Sequence, residues 1–149
     1  MEQLAGPSFE QYCLNAIKWA KAMLGNTKYI GLCLAFVEDA YEKSNQIEMF
    51  GGDTAKESAE QYGAKKNTGE PPLGSLVFYN WTGRINGVVK NWGHVGLSLG
   101  DGKIIHAWDK VRIDYWGEME KIGVPPDSSS LTYIGWVSPD IFLLGFRKL

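Results

Sequence analysis

Histidine and cysteine are both scarce in this 149-residue chain, which holds two of each. Two cysteines, Cys13 and Cys33, cannot make the disulfide framework of a small secreted scaffold. Short-spaced pairs of Cys or His of the kind that build zinc sites are missing, so a metal site is not expected. Basic residues are not in excess: 15 Lys and Arg against 17 Asp and Glu leave a net charge of −2, with no positive field to hold nucleic acid. No apolar run is long enough to span a bilayer. The start, MEQLAGPSFEQY, lacks the basic-then-apolar pattern of a secretory signal, which leaves an intracellular product or one domain of a longer secreted or phage protein.

What is present fits one domain, residues 1–149, with a real core. Phe9, Cys13, Ala16, Ile17, Ala20, Met23 and Leu24 recur at helical spacing, with Ser8 able to cap the helix and Gly25 to end it. Cys13 on that stripe reads as a small buried hydrophobe. A turn-rich link leads to a second amphipathic helix that Cys33 opens, and a short helix from Thr54 to Tyr62, capped by Asp53, follows. Strand signals then dominate in LGSLVFYNW, WGHVGLSLG, KIIHAWDKVRIDYW and LTYIGWV. Helices first and an antiparallel sheet after them make the expected class α+β, with N-terminal helices packed on a twisted sheet.

Both histidines, His94 and His106, fall within GHVGLSLGDGKIIHAW, which reads as a β-hairpin. A three-residue turn at Gly100, Asp101 and Gly102 would set Leu99 opposite Lys103 and His106 opposite Gly96. His94 then shares a face with His106 as its diagonal neighbour, about 7–8 Å away between Cα atoms, and Trp108 lies across from His94. A two-residue turn would send the histidines to opposite faces.

Cys33 is the nucleophile such a pair could serve. A free thiol titrates near ~8.5 and is mostly idle at neutral pH, but helix-start N–H groups and a nearby imidazolium both favour the thiolate. His94 would be the base and His106 the group that orients it. The Cys33 backbone N–H and the Tyr29 hydroxyl are candidate oxyanion donors. Trp92 and Trp108, flanking the histidines, either wall a substrate cleft or simply pack in the sheet; Tyr79, Trp81 and Trp116 are further groove candidates.

The cysteine at a helix start, the approach PPLGSLVFY, and GHVGLSLGDGKIIHA with two histidines twelve residues apart resemble the NlpC-type papain-like cysteine peptidases of bacterial cell walls. The resemblance spans roughly residues 16–108. It implies a papain-like α+β core, no cofactor, and cleavage of amide bonds in peptidoglycan stem peptides by a triad of Cys33, His94 and His106. Where that family usually has Asp-Cys-Ser-Gly-Phe, this chain has Leu32, Cys33, Leu34, Ala35, Phe36, so two residues tied to gripping the peptide end are replaced by leucine. The run GLCLAFV also resembles the CHAP amidases, in which the third group is an acid or amide; Asp109 is then the rival of His106. Acyl transfer or deamidation by the same machinery, or a catalytically inactive binding module, are the alternative functions.

Overall fold

The structure, a computed structural model, describes residues 5–149, with side chains from Phe9 onward. Helix α1 (Ala5–Ala22) begins ahead of Ser8, whose side chain lies outside the described residues, and buries Cys13, Ala16, Ile17 and Ala20 at the three-and-four spacing of one helical face. That face meets Phe36, Val37, Ala40 and Tyr41 of α2 (Cys33–Asn45), all fully buried. The Tyr41 hydroxyl, deep between the helices, donates to the Gly74 carbonyl and so ties them to the segment entering the sheet. Strand β1 (Ile47–Glu48) follows.

Helix α3 (Ala55–Tyr62) is capped by Thr54 and not by Asp53 as expected. The sequence Thr-Ala-Lys-Glu explains the shift: Thr54 Oγ1 accepts from the Glu57 N–H at 3.1 Å while Glu57 Oε1 accepts from the Asp53 N–H at 3.0 Å, close to a capping box.

Five antiparallel strands form the main sheet: β2 (Leu76–Asn80), β5 (His94–Gly100), β6 (Lys103–Ala107), β7 (Val111–Tyr115) and β8 (Thr132–Val137), in the order β7-β6-β5-β2-β8. With the helices on one face this is the α+β architecture expected from the sequence. A hairpin not expected above, β3 (Thr82–Ile85) and β4 (Val88–Asn91), stands off the sheet. Its turn is Asn86-Gly87, both at positive φ, the pair that a two-residue hairpin favours. A short α4 (Pro139–Phe142) and β9 (Arg147–Lys148), which pairs with β1, end the chain. No helix among the described residues is long and apolar enough to cross a membrane.

The β5–β6 turn differs from the expected one. Gly100 pairs with Lys103 across only Asp101 and Gly102, whose φ values of 55° and 80° mark a two-residue turn. A bulge between Ser98 and Gly100 absorbs the odd residue, so Ser98 pairs with Ile104 and Leu97 with Ile105. Register inward of the bulge is therefore the one a three-residue turn would have set, and both histidines stay on one face.

Alternation sorts the sheet's two sides. Leu76, Phe78, Val95, Leu97, Ile105, Ala107 and Val111 face the helices in the larger core. Val77, Tyr79 and Ile104 face a smaller cluster with Trp81, Met119 and Leu131. His94 pairs with Tyr79, and His106 pairs with Arg112, which places both histidines on the second side.

Candidate active site

Cys33 is the first residue of α2. Leu32 precedes it with φ −128° and ψ 44° and offers no side-chain cap, so the N–H groups of the first turn are left for the sulfur. Burial pushes the Cys33 thiol up to about 11, although N–H groups of Val95, Leu34 and Cys33 itself pull the other way. The helix start thus acts as expected but is outweighed by desolvation, and the free site rests as a thiol. The Val95 N–H that acts on the thiol belongs to β5, one residue beyond His94.

Gly93 explains how His94 is delivered. It has φ +73°, and a Cβ there would sit 2.6 Å from the Lys56 backbone nitrogen of α3. Only glycine fits this bend, which is pinned by the Lys56 N–H donating to the Trp92 carbonyl at 3.0 Å.

From His94 a line of hydrogen bonds runs across three strands. His94 Nε2 is 2.9 Å from His106 Nδ1, and His106 Nε2 is 2.8 Å from Asp114 Oδ2. Arg112 grips the same carboxylate twice, Nε to Oδ2 at 2.7 Å and a terminal nitrogen to Oδ1 at 3.0 Å. Burial holds both imidazoles below their usual range; His106 further lowers His94, while Asp114 works in the opposite sense on each. Burial alone would raise the Asp114 carboxyl, but hydrogen bonds from His106 and Arg112 outweigh it and keep that group below its ordinary value. The resting arrangement is two neutral imidazoles leaning on one ionised carboxylate.

Asp114 and Arg112 are absent from the residues expected from the sequence. A signal existed: splitting KIIHAWDKVRIDYW at its Trp-Asp-Lys turn gives two strands, and alternation then sets Arg112 and Asp114 on the face of His106.

Cys33 and His94 open onto one cleft of about 900 Å³. Trp81, Trp92, Trp108 and Ile85 line it, as do Leu32 and Leu34 beside the cysteine; Arg84 is the single Lys or Arg on its wall. Trp108 stands edge-on to His94 at 4.9 Å between ring centroids and donates its Nε1–H to the Gly123 carbonyl at 2.7 Å. Trp92 donates to the Gly83 carbonyl at 3.0 Å and thereby fastens the β3–β4 hairpin over this wall.

Other candidates lie elsewhere. The Tyr29 hydroxyl donates to Asp39 at 2.6 Å, and Tyr29 is not among the cleft residues. Tyr79 is buried with its hydroxyl on the Trp116 carbonyl, and Trp116 borders a separate hollow with Glu70 and Asp101. Asp109 reaches the cleft rim, but its carboxylate pairs with Arg112 at 3.3 Å, and it is His106 that contacts His94. Among the described residues no group of three or more His, Cys, Asp or Glu side chains could hold a metal ion.

Compared with known proteins, residues 23–121 match the model of the NlpC/P60 family, a span that contains Cys33, both histidines and Asp114. No curated protein matches the chain.

Proposed function

The chain belongs to the NlpC/P60 family, papain-like proteins whose function is of the cell-wall peptidase or amidase type, and we propose that residues 1–149 are one cysteine hydrolase domain cutting amide bonds in peptidoglycan stem peptides. The observation that carries this reading is the contact of His94 with His106 beside Cys33 in one cleft.

With its Nε2 engaged by His106, His94 has Nδ1 left for the cleft. That nitrogen takes the Cys33 proton as Sγ attacks the amide carbonyl, so the thiolate forms in the act of attack and need not be stored. The Cys33 N–H, at the uncapped helix start, receives the developing oxyanion. His94 then protonates the leaving amine, and a water molecule deprotonated by the same nitrogen frees the acid from the thioester. Trp108 and Trp92 limit access of bulk water.

Purified peptidoglycan incubated with the protein should release soluble muropeptides, and mass spectrometry of the products identifies the cut bond. Cys33→Ala should abolish release while the melting temperature holds; undiminished release by that variant overturns the reading.

A second reading has support from one feature. Leu32 is half exposed on the rim beside the nucleophile, where an apolar group could rest during acyl transfer or deamidation. Acyl-enzyme that persists in water yet is discharged by an added amine would favour transfer over hydrolysis.

A further inference from the structure

We propose that Asp114, clamped by Arg112, is a positioning residue that selects the tautomers of both histidines and so leaves His94 Nδ1 bare toward Cys33. The inference rests on the catalytic reading above and extends it to two residues on a strand that contributes nothing to the triad itself.

The geometry allows one consistent proton arrangement. An ionised carboxylate only accepts hydrogen bonds. Arg112 donates to both Asp114 oxygens, at 2.7 and 3.0 Å, and this fork holds the group as an anion. The 2.8 Å contact between Asp114 Oδ2 and His106 Nε2 is then a hydrogen bond with the proton on Nε2. A neutral imidazole with Nε2–H has a lone pair at Nδ1. The 2.9 Å contact from that Nδ1 to His94 Nε2 in turn requires the proton on His94 Nε2, and neutral His94 is left with an unprotonated Nδ1.

Burial removes the competing solutions. His106 is 0% exposed, so bulk water offers its ring no other partner, and His94, 1% exposed, meets solvent only where it borders the cleft. Without the carboxylate, the chain could run backward: His106 could donate from Nδ1 into His94 Nε2, and His94 would carry its proton on Nδ1. In that state it faces the thiol with a donor and cannot accept the Cys33 proton. Loss of a single distant acceptor therefore disables a base whose own contacts are all intact.

The two imidazoles are the only ones in the chain, so nitrogen NMR of the full protein labelled with ¹⁵N-histidine reads both without crowding. At pH 8, where both rings are neutral, the wild type should show Nε2–H and bare Nδ1 in each. In Asp114→Ala the acceptor is gone, and Arg112 Nε, which shared Oδ2 with His106 Nε2, is left able only to donate toward that ring, so both tautomers should reverse. Turnover of peptidoglycan should fall at least about a hundredfold in kcat with KM unchanged, the pattern expected of a base in the wrong tautomer. Arg112→Gln, which keeps the carboxylate, should retain the wild-type tautomers and lose less than about tenfold. A proton on Nδ1 of His94 in the wild type overturns the proposal, as do unchanged tautomers in Asp114→Ala; the first criterion decides even where the variant fails to fold. The nitrogen signals need no substrate, so a wild type that cleaves no peptidoglycan refutes the catalytic reading and leaves this one judged separately.

Discussion

His94 and His106 meet through Nε2 and Nδ1 at 2.9 Å with their ring planes 86° apart, an edge-on contact that fixes His94 from one side only. An asparagine at 106 has an amide oxygen near the place of Nδ1 and can still accept from His94; alanine cannot. His106→Asn should keep roughly a tenth of kcat, whereas His106→Ala should lose about 10²–10⁴-fold, the whole worth of an oriented base. Alanine also leaves Asp114 and His94 short of a partner in a buried site, so its melting temperature should drop with the rate. Equal losses of kcat in the two variants, measured on purified peptidoglycan, would argue against an orienting role.

The raised thiol gives a direct prediction for chemical labelling. With no substrate bound, Cys33 titrates at about 11, and the thiolate fraction grows tenfold per pH unit below that value. Alkylation by iodoacetamide, followed on the Cys33 peptide by mass spectrometry, should accelerate steadily from pH 6 to pH 10. Cys13 is buried and should stay unlabelled over the range. A rate already flat at pH 6 would indicate a stored thiolate–imidazolium pair and remove the concerted proton transfer.

How much of this site could be read from the chain differs residue by residue. The shared face of His94 and His106 follows from strand alternation, a strict period of two, and survived an incorrect turn because the bulge at Leu99 restored the count. Thr54 displaced Asp53 as cap because the choice depends on where Glu57 reaches back, a three-dimensional matter. Tyr29 shows the limit most clearly: its closeness to Cys33 in sequence suggested a donor to the oxyanion, yet α2 carries Asp39 into reach and the hydroxyl goes there. Proximity along the chain carries no information about which of two acceptors a long polar side chain will find. Sequence spacing likewise gave Cys33 a helix start but not the packing around its sulfur, and packing is what decides the thiol's proton.

Gly96 carries a packing requirement that can be tested on its own. It lies between the histidines in the β5–β6 register, and a Cβ there would come 3.1 Å from the His106 Cβ and 3.2 Å from Ile104 Cδ1. His106 cannot yield by a few tenths of an ångström without lengthening one of its two ring hydrogen bonds. Gly96→Ala should therefore cost about 1–3 kcal/mol of stability, as overpacking does, and lower kcat more than KM rises. Denaturant melts and steady-state kinetics check both; a variant with wild-type kcat would show that the ring has slack.

Glu38 predicts an alkaline weakness in the cleft wall. Burial, then the neighbouring carboxylates of Glu42, Asp39 and Asp53, push its carboxyl up to about 7. A group raised in the folded state contributes stability that is complete below its ordinary value near 4.5 and is lost as pH climbs through 7. The buried histidines act with the opposite sign: held below their usual range, they cost stability as pH falls beneath about 6.5. Comparison of wild type with Glu38→Gln cancels that histidine contribution, since both proteins carry it. The variant should match the wild type at pH 4.5 and melt higher at pH 8. Discounted for solvent screening of a part-exposed group, the gain is on the order of 1 kcal/mol, or about 2–4 °C. Thermal melts of the two proteins across pH 4.5 to 8 give the difference directly, and a gap that stays constant with pH would mean that Glu38 ionises as freely in the fold as in the open chain.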